Sequence, residues 1–239
     1  MSMFSDNSPS RPFELGYAAD DKAVFNFFNA VYAWMCVGLA VSASTGWLVS
    51  QNAMLVRSLI TNGIGVVFMI GSVAIIWAIQ SAARKLQPGL ATVLFLVYAA
   101  IVGAIFSGIF VYYPIATIGG AFIMTAGVFG GMSVYGFVTK RDLSSMGSFL
   151  IMAVWGLFLA TLVNIFVASN GLSWILTYAI LGVFILLTAY DTQRLKIIAE
   201  QVRGNARGTA SYAIIGSLQL YLDFVNMFLS ILRIMGDRR

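Results

Sequence analysis

Seven apolar stretches constrain the fold of this chain more than any other feature. A helix of roughly 20 apolar residues crosses a bilayer core about 30 Å thick. Stretches of that kind lie at residues 27–49, 58–80, 90–111, 115–138, 147–168, 172–190 and 211–234. Charged residues make up only 10% of the chain, against about a quarter in soluble proteins. The sequence predicts an all-α polytopic membrane protein, with tails at 1–25 and 237–239 around a seven-helix membrane domain at 26–236.

Composition excludes several classes of function. The chain has no histidine, which excludes histidine-dependent catalysis, histidine metal ligands and histidine pH switching. Cys36 is the single cysteine, so no internal disulfide can form. The net charge of +5 comes without a basic patch interleaved with stacking aromatics. We therefore expect the lipid bilayer as a partner, no nucleic acid, and no bound cofactor.

Lysine and arginine positions predict the orientation. Basic residues in cytoplasmic loops exceed those on the opposite side. One set of loops and the amino-terminal tail carry Arg11, Lys22, Arg84, Lys85, Lys140, Arg141, Arg194, Lys196, Arg203 and Arg207, whereas the opposite loops carry only Arg57. This places the amino terminus in the cytoplasm and, after seven spans, the carboxyl terminus on the other side. A re-entrant last segment is the alternative, because Arg238 and Arg239 would otherwise lie outside.

The last apolar stretch carries polar residues on one face. Positions three or four apart lie on the same side of a helix. Such a row, here named the polar seam, consists of Gly216, Gln219, Asp223, Asn226, Ser230 and Arg233. Polar groups are poorly accommodated by lipid. The seventh helix is therefore predicted to lie inside a bundle, with the seam facing a partner helix or a water-filled pathway.

Small residues four apart predict close helix packing. Helices that carry glycine, alanine or serine at such spacing can bring their backbones together in a membrane. Residues of this kind are Gly103, Ala104, Ser107, Gly108, Gly127, Gly130 and Gly131. We predict a packing role for them and no chemistry.

Two aspartates lie in or at the end of predicted spans, Asp191 in the sixth and Asp223 in the seventh. A carboxylate inside the bilayer is costly and points to function by default. A purely structural role is the alternative, with Asp223 locking helix packing and Asp191 pairing with Arg194 at the interface. The two aspartates can meet if the seventh helix begins near Leu218, or if the sixth continues through 195–198. Their meeting point is predicted in the cytoplasmic half.

A meeting of the two carboxylates would create a proton-dependent site. Neighbouring carboxylates in a low dielectric share a proton and titrate as a pair. Calcium prefers six to eight oxygen ligands, so Asp191 and Asp223 with Asn226, Gln219 and water would bind it weakly and transiently. Weak binding suits conduction, since the ion must also leave. Arg233 lies about 15 Å further along the helix, which predicts that it anchors the outer end or lines the outer mouth.

The sequence resembles the transmembrane Bax-inhibitor-motif family, also called the Bax inhibitor-1 family, in its bacterial branch. The most specific segments are AYDTQRLK at the end of the sixth span and LQLYLDFVNMFLSILRIMG in the seventh. Further similarity lies in FNAVYAWMCVGLAVSASTG and VYGFVTKRDLSSMGSFLIMAVWGLFLATLVNIF. Some members carry an acidic residue in the second helix, which this chain lacks.

The resemblance implies a fold and a function. The fold is seven helices with the seventh central and wrapped by the other six. The function is a pH-sensitive calcium leak controlled by two aspartates that match Asp191 and Asp223, with the family's arginine at Arg233. For bacterial relatives it implies residence in the inner membrane and interaction with a membrane-bound quality-control protease.

Rival functions come from other classes. A non-conducting regulator that binds a membrane protease would need no ion pathway. An intramembrane aspartyl protease also uses two aspartates, but its second motif needs glycines before the aspartate, where this chain has Leu220, Tyr221 and Leu222. A retinal protein is excluded because all four lysines lie in the tail or loops. We therefore expect a transport protein and not an enzyme.

Overall fold

A computed structural model describes residues 12–61 and 64–236, and within these ranges the fold is entirely helical. The helices are α1 (Pro12–Ser50), α2 (Ala53–Thr61), α3 (Ile64–Arg84), α4 (Pro88–Ile105), α5 (Gly108–Tyr112), α6 (Ile115–Val138), α7 (Ser144–Val167), α8 (Asn170–Gln201) and α9 (Ala206–Met235). The predicted tail segments 1–11 and 237–239 lie outside the described residues.

Among the described residues, six helical segments are long and apolar enough to cross a membrane. They are Lys22–Ser50, Pro88–Tyr112, Ile115–Val138, Ser144–Val167, Asn170–Gln201 and Ala206–Met235. The predicted span at 58–80 falls on α2 and α3, where the apolar segment Ile70–Arg84 is shorter. The prediction of an all-α membrane protein is thereby confirmed, with six spanning candidates and one shorter apolar helix.

Several helix boundaries differ from the predicted ones. The first helix begins at Pro12, so residues 12–25, assigned to the tail, are helical. The third predicted span is interrupted at Phe106 and Ser107, between α4 and α5. The sixth runs on from Tyr190 to Gln201. At 1.5 Å per residue the 32-residue α8 is about 48 Å long, so it exceeds the thickness of a bilayer core.

A tight turn joins α8 to α9 and makes them antiparallel neighbours. Gly204 has a φ of +81°, a left-handed conformation that favours glycine. The next residue, Asn205, caps α9, because its side-chain oxygen accepts a hydrogen bond of 2.9 Å from the backbone N–H of Gly208. The two helices pack along each other, which brings the two predicted site aspartates onto adjacent elements.

Helix α9 is the most buried of the spanning candidates. Within its apolar window 61% of the residues are buried, compared with 6% to 33% in the other five. It packs against α1, α3, α4, α6 and α8. Its buried side chains include Leu220, Tyr221 and Met227, each fully enclosed. This burial agrees with the position inside a bundle that the polar seam predicts for the helix.

Two glycines allow helix backbones to touch. A Cβ atom added to Gly103 of α4 would lie 2.2 Å from the carbonyl oxygen of Ser42 in α1. One added to Gly136 of α6 would lie 2.3 Å from the carbonyl oxygen of Ala189 in α8. Only a residue without a Cβ fits at such distances. The packing role predicted for Gly103 is confirmed, and Gly136 has the same role.

The packing role predicted for Gly127, Gly130 and Gly131 is wrong within the single chain. A Cβ atom added at any of the three would meet no atom within 4 Å. The spacing of small residues shows where another helix could approach, but the packing of α6 places these three toward open space.

Candidate functional site

Contacts between α8 and α9 bring Asp191 level with Asp223. On one side of the pair, Leu195 packs against Gly216, where an added Cβ would lie 2.7 Å from a Leu195 methyl carbon. On the other side, the Thr188 hydroxyl lies 3.5 Å from the sulfur of Met227. Asp191 lies between Thr188 and Leu195 on α8, and Asp223 lies between Gly216 and Met227 on α9. The antiparallel packing therefore brings the two aspartates together.

The continuation of α8 makes this meeting possible. Of the two conditions predicted for it, the extension of the sixth helix through 195–198 is confirmed by a helix that ends at Gln201. The other condition, a seventh helix beginning near Leu218, is wrong because α9 begins at Ala206. Asp223 lies about 26 Å from the start of α9 and about 18 Å from its end, at 1.5 Å per residue. The depth of the pair in the bilayer stays a prediction.

Asp223 is a buried carboxylate with an unpartnered oxygen. Only 3% of the residue is exposed, and its Oδ2 atom has no hydrogen-bond partner. The Asp191 carboxyl, half-buried on α8, is close enough to repel a charge on Asp223. Burying a charge without a partner is strongly unfavourable. The arrangement therefore favours a proton or a cation at this oxygen.

Arg194 acts on Asp191 from the next turn of α8. Its guanidinium is exposed and attracts the Asp191 carboxylate. Among the described residues, the charged group that acts on Asp223 is the Asp191 carboxyl, and not a cation. An interfacial role for Asp191 and a role beside Asp223 are thus compatible, since the Asp191 carboxyl interacts with both Arg194 and Asp223.

The remaining residues of the polar seam are held within α9 or at its end. The Asn226 side-chain amide donates a 2.8 Å hydrogen bond to the carbonyl oxygen of Leu222. The Ser230 hydroxyl donates a 2.9 Å bond to the carbonyl oxygen of Asn226. Gln219 is half-buried. Because these bonds stay within one helix, they satisfy the polar groups locally, and a pathway along Gln219, Asn226, Ser230 and Arg233 stays a prediction.

Arg233 ties the end of α9 to the start of α8. Its guanidinium donates a hydrogen bond to the Ser173 hydroxyl and lies 5.8 Å from the ring of Trp174. An arginine over an indole ring is a favourable cation–π pair. These contacts fit the predicted anchoring role of Arg233, at the end of the helix pair opposite to the Gly204 turn.

Replacing Arg233 with Gln is expected to destabilise the protein by about 1 kcal/mol, because a charge-assisted hydrogen bond and a cation–π contact are lost. Thermal unfolding of the purified protein in detergent measures this effect. Arg207→Gln is the matched control, since Arg207 is exposed on the first turn of the same helix. Equal unfolding temperatures for the two variants would contradict the anchoring role.

Sequence reasoning missed a hydroxyl chain that connects three helices. The Ser42 hydroxyl of α1 donates a 2.7 Å hydrogen bond to the carbonyl oxygen of Ala99 in α4. Its oxygen lies 2.7 Å from the hydroxyl of Tyr221 in α9, which must then be the donor. The tyrosine within the seventh span is a signal for such a bond, because a buried tyrosine hydroxyl needs a hydrogen-bond partner.

The oxygen ligands near the pair are too few for a tight metal site. Among the described residues, no group of three or more aspartate, glutamate, cysteine or histidine side chains lies together. With one oxygen from each carboxylate, the pair and the amide oxygens of Asn226 and Gln219 would supply four of the six to eight oxygens that calcium prefers.

The chain is similar to known proteins over most of its length. The sequence model of the family described as inhibitor of apoptosis-promoting Bax1 matches residues 24–239. Inner membrane protein YbhL of Escherichia coli (strain K12) is 44% identical over 217 residues, which cover 89% of this chain and 92% of that protein. An uncharacterized protein of Deinococcus radiodurans is 42% identical over 221 residues, covering 90% and 92%. Uncharacterized protein YrjE of Lactococcus lactis is 36% identical over 213 residues, covering 88% and 90%.

Proposed function

Because this chain belongs to the Bax inhibitor-1 family, we propose that it is a pH-sensitive leak for calcium or a similar cation, gated by Asp191 and Asp223. The observation that supports this function is the buried Asp223 carboxylate with its unpartnered Oδ2, beside a second carboxylate. Transport of an ion and not catalysis is the proposed activity.

Protonation of the pair closes the pathway in this proposal. With one shared proton, the two carboxyls carry a single negative charge and α8 and α9 remain packed. When that proton leaves, the two charges repel each other in a low dielectric, which favours separation of the helices. Cation flux should therefore rise as the pH rises.

A permeant calcium ion would meet the pair as a transient ligand. Asp191 and Asp223 supply the charge, and Asn226 and Gln219 supply neutral oxygens on the same face of α9. The weak affinity that so few protein oxygens provide allows the ion to leave again. A conducting state needs an opening at Asp223, since two cavities among the described residues reach the middle of α9 at Phe224, and one of them also at Tyr221, without reaching Asp223.

The proposal includes a topology. We infer seven spans, with α2 and α3 together forming the second and α9 surrounded by the other helices. Burial of α9 and its contacts with five helices support its central place. The basic loops support a cytoplasmic amino terminus, and a carboxyl terminus on the opposite side follows from seven spans. The name of the Escherichia coli relative supports the inner membrane as the location.

Purified protein in calcium-loaded liposomes tests the function. The leak predicts calcium release above that of empty vesicles, with a rate that increases from about pH 6 to about pH 8. Release equal to that of empty vesicles at every pH would contradict it and favour the non-conducting regulator of a quality-control protease. Tight binding of a transition-state analogue of aspartyl proteases would favour the protease instead, whereas the leak predicts no binding.

A further inference from the structure

A crevice lies between α1 and α6. α1 packs closely against α4 and α9, and α6 packs closely against α8 and α9. Along their described residues α1 and α6 meet through the rings of Phe28 and Phe137, whose centroids lie 5.0 Å apart, and the crevice lies beside this contact. The crevice between them has a volume of about 590 Å³, within the range of roughly 300–1,000 Å³ for small-molecule sites. Phe224 of α9 lines it from the protein interior.

The crevice is apolar along its walls but contains one unsatisfied hydroxyl. Tyr32 and Met35 line it on α1, and Gly130 and Ser133 line it on α6. Ser133 is 5% exposed and its hydroxyl has no hydrogen-bond partner. The open space beside Gly130, where an added Cβ meets no atom, belongs to the same cavity. An apolar ligand with a hydrogen-bond acceptor would satisfy both features.

The length of the crevice corresponds to one leaflet of a membrane. Along α6 its lining runs from Phe122 to Phe137, which is about 22 Å at 1.5 Å per residue. Half of a bilayer with its headgroups is about 20 Å thick. A transmembrane helix of a partner would need the full apolar thickness of about 30 Å. The dimensions therefore favour a single lipid over a helix.

Cations surround one end of the crevice. Phe137 lines both the crevice and an adjoining polar pocket at the end of α6. The Lys196 ammonium lies 5.0 Å from the Phe137 ring and donates a 3.4 Å hydrogen bond to the Phe137 carbonyl oxygen. Lys140 and Arg141 line the same pocket, and Lys22 lies one helical turn beyond the crevice residue Phe25 on α1.

Two carboxylates, those of Asp142 and Glu200, also line the polar pocket. The hydroxyl and the backbone N–H of Ser144 donate hydrogen bonds to Asp142, which lowers the pKa of its carboxyl and holds it at the start of α7. Three cations and two carboxylates leave the pocket with a net positive charge of one, and Lys22 adds to it from the other wall. An anionic group is therefore favoured at this end.

We propose that the crevice binds one anionic phospholipid, with an acyl chain between α1 and α6 and the phosphate at Lys196, Lys140 and Lys22. Ser133 lies one turn deeper than Phe137, about 6 Å along α6, where its hydroxyl can donate to an ester carbonyl oxygen of the lipid. Basic pockets between transmembrane helices bind such headgroups. The site is independent of the aspartate pair.

The single cysteine offers a direct probe, because Cys36 lines the crevice and is exposed. A small fluorophore on Cys36 is quenched when a brominated acyl chain occupies the crevice. In phosphatidylcholine nanodiscs, brominated phosphatidylglycerol is expected to reach half-quenching at a mole fraction roughly fivefold lower than brominated phosphatidylcholine does, since the polar pocket has a net positive charge of one and each charge contributes about that factor.

Matched variants separate the site from bulk lipid. Lys196→Gln and Gly130→Trp are expected to remove most of the preference, the first because it leaves the polar pocket without a net positive charge and the second because it fills the crevice. Lys85→Gln and Gly127→Trp are the controls and should retain it, because Lys85 lies in the loop after α3 and Gly127 does not line the crevice. Equal half-quenching by the two lipids in the native protein would overturn the proposal. So would disulfide cross-linking of Cys36 between two copies, which would place a second chain in the crevice.

Discussion

Replacing Asp223 with Asn is expected to reduce calcium flux in liposomes by roughly tenfold, about 1.4 kcal/mol, and to remove its dependence on pH. Asparagine has nearly the same shape as aspartate but cannot ionise. The repulsion that separates α8 from α9 at high pH would be lost, and so would half of the charge that attracts a cation. The flux of the variant should therefore be low and flat between about pH 6 and about pH 8.

Folding of the variant serves as an internal check. Asp223 is 3% exposed with an unpartnered oxygen, so a neutral amide there removes the cost of a buried charge. We expect the variant to unfold at a temperature at least as high as that of the native protein. For the flux, Asp142→Asn is the matched control, since Asp142 is an exposed loop carboxylate outside the pair. A native flux profile in Asp223→Asn would contradict the gate.

Replacing Gly103 with Ala is expected to destabilise the fold by about 1–3 kcal/mol, the usual effect of overpacking. The added Cβ would lie 2.2 Å from the carbonyl oxygen and 2.8 Å from the Cα atom of Ser42. Both are backbone atoms, so α1 and α4 must move apart and no side chain can relieve the contact. This movement would also strain the 2.7 Å bond from Ser42 to Ala99.

The same substitution at Gly127 is the matched control for Gly103→Ala. An added Cβ at Gly127 meets no atom within 4 Å, and alanine is the better helix former by about 1 kcal/mol. Thermal unfolding in detergent should therefore separate the two variants, with Gly127→Ala as stable as the native protein or more so. Equal destabilisation of both would show that the α1–α4 contact at Gly103 is not tight.

The spanning helices could be predicted from the sequence because hydropathy alone selects apolar stretches of sufficient length. Their ends could not, since hydropathy does not separate a helix that stops at the interface from one that continues beyond it. α8 illustrates this difference. Arg194 and Lys196 suggested an end near Tyr190, but Leu195 and Ala199 are buried on the same helix, which continues to Gln201.

Close helix contacts and the proximity of distant residues depend on tertiary packing, which the sequence pattern does not give. Spacing marks Gly103 and Gly127 equally as small residues, yet only Gly103 faces a neighbouring backbone. The two aspartates were identified from their cost in a membrane, but their proximity depends on the length of α8. The Ser42–Tyr221 bond and the crevice between α1 and α6 involve residues far apart in the chain, which periodicity within one helix cannot reveal.

The central claim is that Asp191 and Asp223 share a proton whose release opens the pathway. Infrared spectroscopy of the carboxyl C=O stretch, recorded as the purified protein is titrated, measures that proton directly. The account predicts a band from the protonated carboxyl that disappears with the same midpoint as the rise in calcium flux, and that each of Asp191→Asn and Asp223→Asn removes or displaces. A band that neither variant changes, or a midpoint unrelated to that of the flux, would contradict it.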